Sequence, residues 1–300
     1  MPINPQALQN RAESLAARLP PLTIEAERIA ATVVMGLHGQ RRPGSGDHFW
    51  QYRLYQQQDD ASKIDWRRSA KGQGLYVRQN EWDVAQTIWV WRDASQSMNY
   101  KSQRNLPTKR QRADLLLLSL LALLARGGER FALLASGIPP VYGRSGLLRL
   151  ADFINQPYRD SDVSQSPSLP PLYILPRYAQ VVLIGDFLSP LKDTKKIISR
   201  FSSFGLKGHL LQILDPAERD LPFKGHVRFT GMEGEDDFLA ERADELHAAY
   251  SRRLRSHRRG LTDLCASAGW SISFHTTDQP PSAALLDLYR ALNPVHQVKP

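Results

Sequence analysis

From Thr87 onward, short apolar runs alternate with segments of helical periodicity. That alternation restricts the chain to a sheet of parallel strands covered by helices. The runs are "TIWVW" (Thr87 to Trp91), "RFALLA" (Arg130 to Ala135), "QVVLIG" (Gln180 to Gly185), "HLLQIL" (His209 to Leu214) and "WSISFHT" (Trp270 to Thr276). Helices are predicted between them at Lys109 to Arg126, Gly146 to Asn155 and Leu191 to Phe204. A further helix is predicted from Asp236, where Leu239, Ala243, Leu246, Tyr250, Leu254, His257, Leu261 and Leu264 recur at steps of three and four. Asp236 and Asp237 then fall in its first turn, where the helix dipole favours negative charge, with Arg258 and Arg259 on exposed positions. His257 on the apolar face reads as a hydrogen-bonded core histidine rather than a ligand.

Upstream the texture differs. Leu8, Leu15 and Leu19, then Ile24, Ile29 and Val33, are spaced for amphipathic helices separated by a "PP" break. Between Gly36 and Trp82, "HFWQYRLY" and "GLYVRQNEW" read as strands flanking the polar stretch "QQQDDASK". The expected division is residues 1–85 as a helical segment plus a small β-rich subdomain, and residues 86–300 as the α/β domain. Tyr158 to Leu172, rich in Ser and Pro, reads as a surface loop.

Composition bounds the function classes. The single cysteine, Cys265, excludes an intramolecular disulfide framework and makes a cytoplasmic location the expectation. The longest apolar stretch, Leu115 to Ala125, falls well short of the roughly 20 residues that cross a bilayer, and the N-terminus lacks the pattern of a secretory signal. The net charge of +9 admits nucleic acid, anionic lipid or an acidic protein as partner. The basic clusters Lys101 to Arg112 and Ser251 to Gly260 carry no interleaved aromatics and read as solvated helix faces, so nucleic-acid binding is the alternative rather than the leading reading.

Asp93, Ser95 and Ser97 form D-x-S-x-S directly after the first strand of the sheet, at the edge where open α/β sheets keep their ligands. A second strand ends in Asp186, within "GDFLSP". Two carboxylates with hydroxyls between them suit a hard divalent cation such as Mg2+, with Mn2+ or Ca2+ as substitutes. Ser145, in a stretch expected to be a loop ahead of a helix, could add a further hydroxyl. Ser189 reads as a helix cap. No phosphate-binding G-x-x-x-x-G-K-S/T, zinc spacing or nucleophile elbow occurs. Neither aspartate loop has a neighbouring histidine or glutamate to act as a base, so a non-enzymatic role is expected.

The segment "GLHGQRRPGSGDHFWQYRLYQQQDDASKIDWRRSA", followed by "DASQSM", resembles the bacterial domain-of-unknown-function 58 family, whose core is similar to a von Willebrand factor type A domain. "LDPAERDLPFKGHVRF", "EGED" and "FHTTDQPPSAALLDLYRAL" fit the same resemblance, and Gln58 and Thr230 depart from it. It implies an α/β, Rossmann-like fold and a metal-ion-dependent adhesion site of Asp93, Ser95, Ser97 and Asp186, with Ser145 replacing the usual threonine. It also implies action beside a MoxR-type AAA+ ATPase in protein maturation or complex assembly, the ATPase or its client being gripped through an acidic side chain.

Overall fold

The computed structural model describes residues 26, 28–31, 49–54, 66–70, 74–80, 87–155, 167–177, 179–234 and 236–292. The chain divides into two units, Met1–Gly39 with Thr87–Pro300, and Gln40–Gln86. In the smaller unit, strand β1 (Phe49–Leu54) pairs antiparallel with β2 (Tyr76–Asn80), and a one-turn helix, α1 (Trp66–Ser69), lies between them in sequence. The "QQQDDASK" stretch, most of the Ser/Pro-rich loop, and Leu8, Leu15, Leu19, Ile24 and Val33 lie outside the described residues.

The larger unit is built on a six-stranded sheet in the order β10-β7-β6-β3-β4-β5. Its strands are β3 (Thr87–Arg92), β4 (Arg130–Leu133), β5 (Val141–Tyr142), β6 (Gln180–Gly185), β7 (Lys207–Leu214) and β10 (Ser271–Thr276). Every pairing is parallel except that of β5 on β4. The five apolar runs are therefore the five parallel strands, and the two-residue β5 was too short to show in the sequence. Alternate side chains of each strand enter opposite cores, as strand geometry requires. Ile88, Val90, Val182, Ile184, Leu211 and Ile213 face one layer, and Trp91, Val181, Leu183 and Leu210 the other.

The first layer contains α2 (Lys109–Gly127), α3 (Gly143–Asn155) and α7 (Pro281–Leu292), together with Ala26, Ile29 and Ala30 of a helical segment. Helix α2 is buried around most of its circumference, which explains its unbroken leucines. Its N-terminus is fixed by a capping box. The Thr108 hydroxyl accepts the Gln111 N–H at 3.1 Å, and the Gln111 side chain accepts the Thr108 N–H at 2.9 Å. The second layer contains α4 (Leu191–Ser203) and α6 (Ala243–Ser267). Ser189 does not cap α4: Pro190 holds the cap position, and the Ser189 hydroxyl pairs with that of Ser168 at 3.1 Å.

The long helix starts later than its periodicity implied. Leu239 belongs to β9 (Phe238–Ala240), paired antiparallel with β8 (Val227–Phe229), and is 64% exposed. Asp237 serves this hairpin, accepting from Arg228 Nε at 2.9 Å, and the acidic first turn of α6 is supplied by Asp244 and Glu245. Three-residue strands leave too short a pattern to compete with an extrapolated helical period. From Ala243 on, the expected apolar face holds and Arg259 is exposed, but Arg258 is half-buried, its Nε donating to Gln212 Oε1 at 2.9 Å. Leu254 and Leu261 are buried, while Leu246, Tyr250 and Leu264 are half-buried. His257 is hydrogen-bonded as expected, its Nε2 lying 2.7 Å from the carbonyl of Phe187.

Two buried histidines make the sheet sensitive to acid. His209 on β7 is held between the hydroxyls of Ser271 and Ser273, at 2.7 and 2.8 Å, and burial pulls its pKa from the usual 6.5 to about 4. Burial, with the charge of Arg112, does the same to His275. The folded form thus resists a proton that the unfolded chain accepts below pH 6.5, so the stability present above that pH is lost as pH falls toward 4. For His209 the loss approaches about 3 kcal/mol at completion. Urea unfolding at pH 7 and pH 4.5 checks this: His209→Gln should narrow the difference between the two pH values. An unchanged difference would show that His209 does not carry it.

Candidate functional site

Between β3 and β6 the chain reverses its direction of travel across the sheet, since β3 connects onward to β4 on one side while β6 and β7 build out on the other. Crevices form at such a switch point, outside the carboxyl ends of the strands. Asp93 is the first residue after β3, and its N–H extends the ladder to the carbonyl of Ile184 at 2.8 Å. Asp186 is the first residue after β6. The close approach depends on Gly185, where a Cβ would lie 3.0 Å from Asp93 Cβ and 3.3 Å from its Oδ2. Phe187 then takes φ 47°, a left-handed conformation costly for a bulky residue. It is held there by burial of its ring and by the contact of its carbonyl with His257, and the Asp186 carbonyl accepts from Gln212 Nε2 at 2.7 Å.

The D-x-S-x-S loop folds over this pair. Asp93 Oδ1 accepts the Ser95 N–H at 2.8 Å, and a short 3-10 turn, Gln96–Asn99, is anchored by the fully buried Met98. The Ser95 and Ser97 hydroxyls lie 3.1 Å apart, and Ser97 Oγ donates to Asp186 Oδ2 at 2.7 Å. Four of the five anticipated residues therefore converge. Ser145 does not join them. It is the third residue of α3 rather than part of a loop ahead of it, is exposed, and shares no hydrogen bond with the four.

Three charged groups at the site were not foreseen. Lys109, read as part of a solvated basic run, is fully buried at the first position of α2, and Arg112 is almost as deep. Lys109 Nζ donates to Asp186 Oδ2 at 2.9 Å and to Glu218 Oε1 at 2.6 Å. Glu218 lies on α5 (Pro216–Asp220), whose capping box with Asp215 fixes it. Glu233, in the loop joining β8 to β9, accepts the Ser97 N–H at 3.4 Å. The expectation that no glutamate neighbours the aspartate loops is corrected: tertiary folding brings two, from far along the chain. A signal for Lys109 did exist, because a cation in a first helical turn opposes the dipole and needs an acidic partner.

The electrostatics separate the two aspartates. Burial, then the charge of Asp186, pushes the Asp93 carboxyl up to about 7, with Glu233 adding and the hydrogen bonds from Ser95 opposing. Burial alone would also raise Asp186, but the Lys109 ammonium and the hydrogen bonds from Lys109, Ser97 and Leu188 hold it below the usual carboxylate value. Asp93 Oδ2 is buried and has no hydrogen-bond partner, an exception to the pairing of buried polar atoms that calls for a cation or a proton. Ser97 gives its one proton to Asp186, so the 3.1 Å contact is donated by Ser95, and each serine oxygen keeps a lone pair for a cation. The donor set thus fits a hard divalent ion. Among the described residues no group of three or more His, Cys, Asp and Glu side chains gathers to hold a metal, so a cation here relies on two carboxylates plus hydroxyls.

The chain is similar to several known proteins. The uncharacterized protein Rv1480 of Mycobacterium tuberculosis (strain ATCC 25618 / H37Rv) is 27% identical over 226 residues, 71% of this chain and 69% of its own. An aerotolerance-related membrane protein from Bacteroides fragilis aligns over 70% of this chain and 99% of its own at 15% identity, with a TM-score of 0.41. The SpRpn10 VWA domain aligns over 68% of this chain and 95% of its own at 8% identity, with a TM-score of 0.28. The fold is α/β, a mostly parallel six-stranded sheet flanked by helices. The cytoplasmic expectation does not stand, because the similar structures include one described as a membrane protein. A water-exposed domain has the same composition on either side of a membrane or tethered to one, so one cysteine does not assign a compartment. No described helix is long and apolar enough to cross a bilayer. The profile of the family described as "Protein of unknown function DUF58" matches residues 51–260, more than half of the sequence, and the chain belongs to that family.

Proposed function

We propose that this chain is a protein-interaction module that captures an acidic side chain of its partner through a divalent cation held by Asp93, Ser95, Ser97 and Asp186. The observation that supports this most directly is the buried Asp93 Oδ2, left without a partner beside two hydroxyls and a second carboxylate. When bound, Mg2+ would supply electrophilic coordination positions for an incoming carboxylate, since it takes about six oxygen ligands and keeps several as water. The chain's own residues do the rest. Gly185 permits the close approach of the two strand ends, Phe187 aims Asp186, Ser97 ties the loop to it, and Lys109 offsets part of the negative charge. Large apolar side chains are exposed on the same segments, Leu188 two residues from Asp186 and Met232 next to Glu233, as suits a protein-facing rim better than a phosphate-facing one. The family resemblance makes a MoxR-type AAA+ ATPase, or its client, the partner to test.

The test is calorimetric titration with Mn2+, followed by partner capture. Wild type should bind Mn2+, Asp93→Ala should lose that binding while melting as a folded protein, and capture of the ATPase should fail in EDTA. Equal Mn2+ affinity in the two proteins would overturn the metal site. Capture that survives EDTA but falls steeply with salt would transfer the reading to the exposed arginines of α6 and to nucleic acid.

A further inference from the structure

Gln212 stands on β7 in register with Gly185 of β6 on one side and Phe274 of β10 on the other, and it shares the sheet face of Leu210. That face packs against α6, where a leucine would be the ordinary choice. A fully buried glutamine must instead place both ends of its amide in hydrogen bonds. Its Nε2 donates to the Asp186 carbonyl at 2.7 Å, and its Oε1 accepts from Arg258 Nε at 2.9 Å. A carbonyl only accepts and a guanidinium only donates, so the two neighbours together fix which way round the amide lies.

Arg258 gains little else from its position. It is half-buried on α6, no carboxylate pairs with it among the described residues, and burial, then the charge of Arg219, holds its pKa below the ordinary value. Nη2 is buried without a hydrogen-bond partner, and the guanidinium lies over the Phe274 ring, 4.9 Å from its centre. The adjacent His257 contacts the Phe187 carbonyl at 2.7 Å. Neighbouring residues of α6 therefore reach two successive carbonyls of the turn that holds Phe187 at positive φ, one directly and one through Gln212. Buried Leu254, Leu261 and Cys265 anchor the helix that carries them.

Resting on the metal-dependent reading above, we propose that Arg258 is a positioning residue for the cation site: it locks the Gln212 amide onto the Asp186 carbonyl, and so fixes the direction in which the Asp186 carboxylate leaves the end of β6. This role opposes the effect of its charge. A guanidinium near the site repels a cation, so its removal by charge alone would tighten cation binding. Removing an outer support of a metal-ligating group weakens binding instead, by about 10–100-fold.

Full-length wild type, Arg258→Met, Gln212→Met and the double variant are titrated with Mn2+ by calorimetry, with Asp93→Ala as the variant that lacks a ligand. Methionine keeps an unbranched stem at either position, and melting curves confirm that each variant is folded. Each single variant should bind Mn2+ about tenfold more weakly. The double variant should bind no more weakly than Gln212→Met, because Arg258 acts only through Gln212. In the metal-free proteins, labelled isotopically at glutamine, the Gln212 side-chain amide is identified by its absence from Gln212→Met. It should exchange its protons with water slowly in wild type and faster in Arg258→Met. Arg258→Met that binds Mn2+ as tightly as wild type, or more tightly, overturns the proposal, as do single losses that multiply in the double variant. Equal amide exchange in wild type and Arg258→Met overturns it without reference to any metal. Wild type that binds no Mn2+ while its Gln212 amide stays protected shows that the metal-dependent reading itself has failed, and the role of Arg258 toward a cation falls with it.

Discussion

Lys109→Met should cost about 3–5 kcal/mol of folding stability at pH 7, the range for removing one partner of a buried charge pair. The side chain is completely enclosed, and both its hydrogen bonds go to carboxylates, Asp186 on β6 and Glu218 on α5. Methionine fills a similar volume, so the loss reports charge rather than packing. Asp186 would keep the Ser97 hydroxyl and the Leu188 N–H but would bury a negative charge without a cation. The pH dependence separates this account from a packing defect. With Lys109 present, Asp186 titrates below its ordinary value and its contribution persists until pH falls through that lowered pKa. Without the ammonium the carboxylate takes up a proton at higher pH and loses its need for a partner, so the gap between variant and wild type should shrink as pH falls. Urea midpoints at pH 7 and pH 4.5 read both effects. A constant gap would place the defect in packing, and no gap would remove Lys109 from the site's electrostatics.

Phe201→Ala should destabilise the fold by about 3–5 kcal/mol, the usual range for deleting a buried aromatic ring. Phe201 on α4 has no exposed surface and stacks on Trp270 with ring centroids 6.2 Å apart and planes 14° from parallel. Trp270 cannot move to fill the space at little cost, because its Nε1 donates to the Leu206 carbonyl at 3.1 Å and its ring lies against Gly208, where even a methyl group would come within 2.3 Å. A site that collapses poorly lies at the upper end of the cavity penalty. Lys196→Ala on the exposed face of α4 should change stability by less than about 0.5 kcal/mol, since its pair with Asp193 is a surface one. Similar losses in both variants would mean that α4 packs through a different face.

The parallel strands and the pair Asp93 and Asp186 were legible because each rests on a local pattern: a strand-length apolar run followed by a turn-forming acid. Ser95 and Ser97 were legible for the same reason, their spacing lying within a single loop. What escaped was non-local. Lys109 sits in the run "TKRQR", where composition argues for solvent, and only the placement of α2 beneath the ends of β6 and α5 encloses it. Glu218 and Glu233 reach the site through the fold, at separations that no motif spans. Leu239 failed in the opposite way. It fits the helical period of α6 by coincidence, and the Arg228–Asp237 pairing and aromatic contacts of the hairpin outweigh that period.

One core layer joins Ala26, Ile29 and Ala30 to Ala284, Leu285, Leu288 and Leu292, so its first and last contributors are among the earliest and latest described residues to leave the ribosome. The leucine-rich α2, translated early, remains without its full cover until α7 has been made. During that interval a nascent chain presents the kind of greasy helix that holding chaperones recognise, and a ribosome stalled before α7 would release a product prone to aggregate rather than a smaller working domain. Folding of this unit is therefore all-or-nothing: the sheet edge that carries Asp93 and Asp186 gains its full support only once α7 has been made.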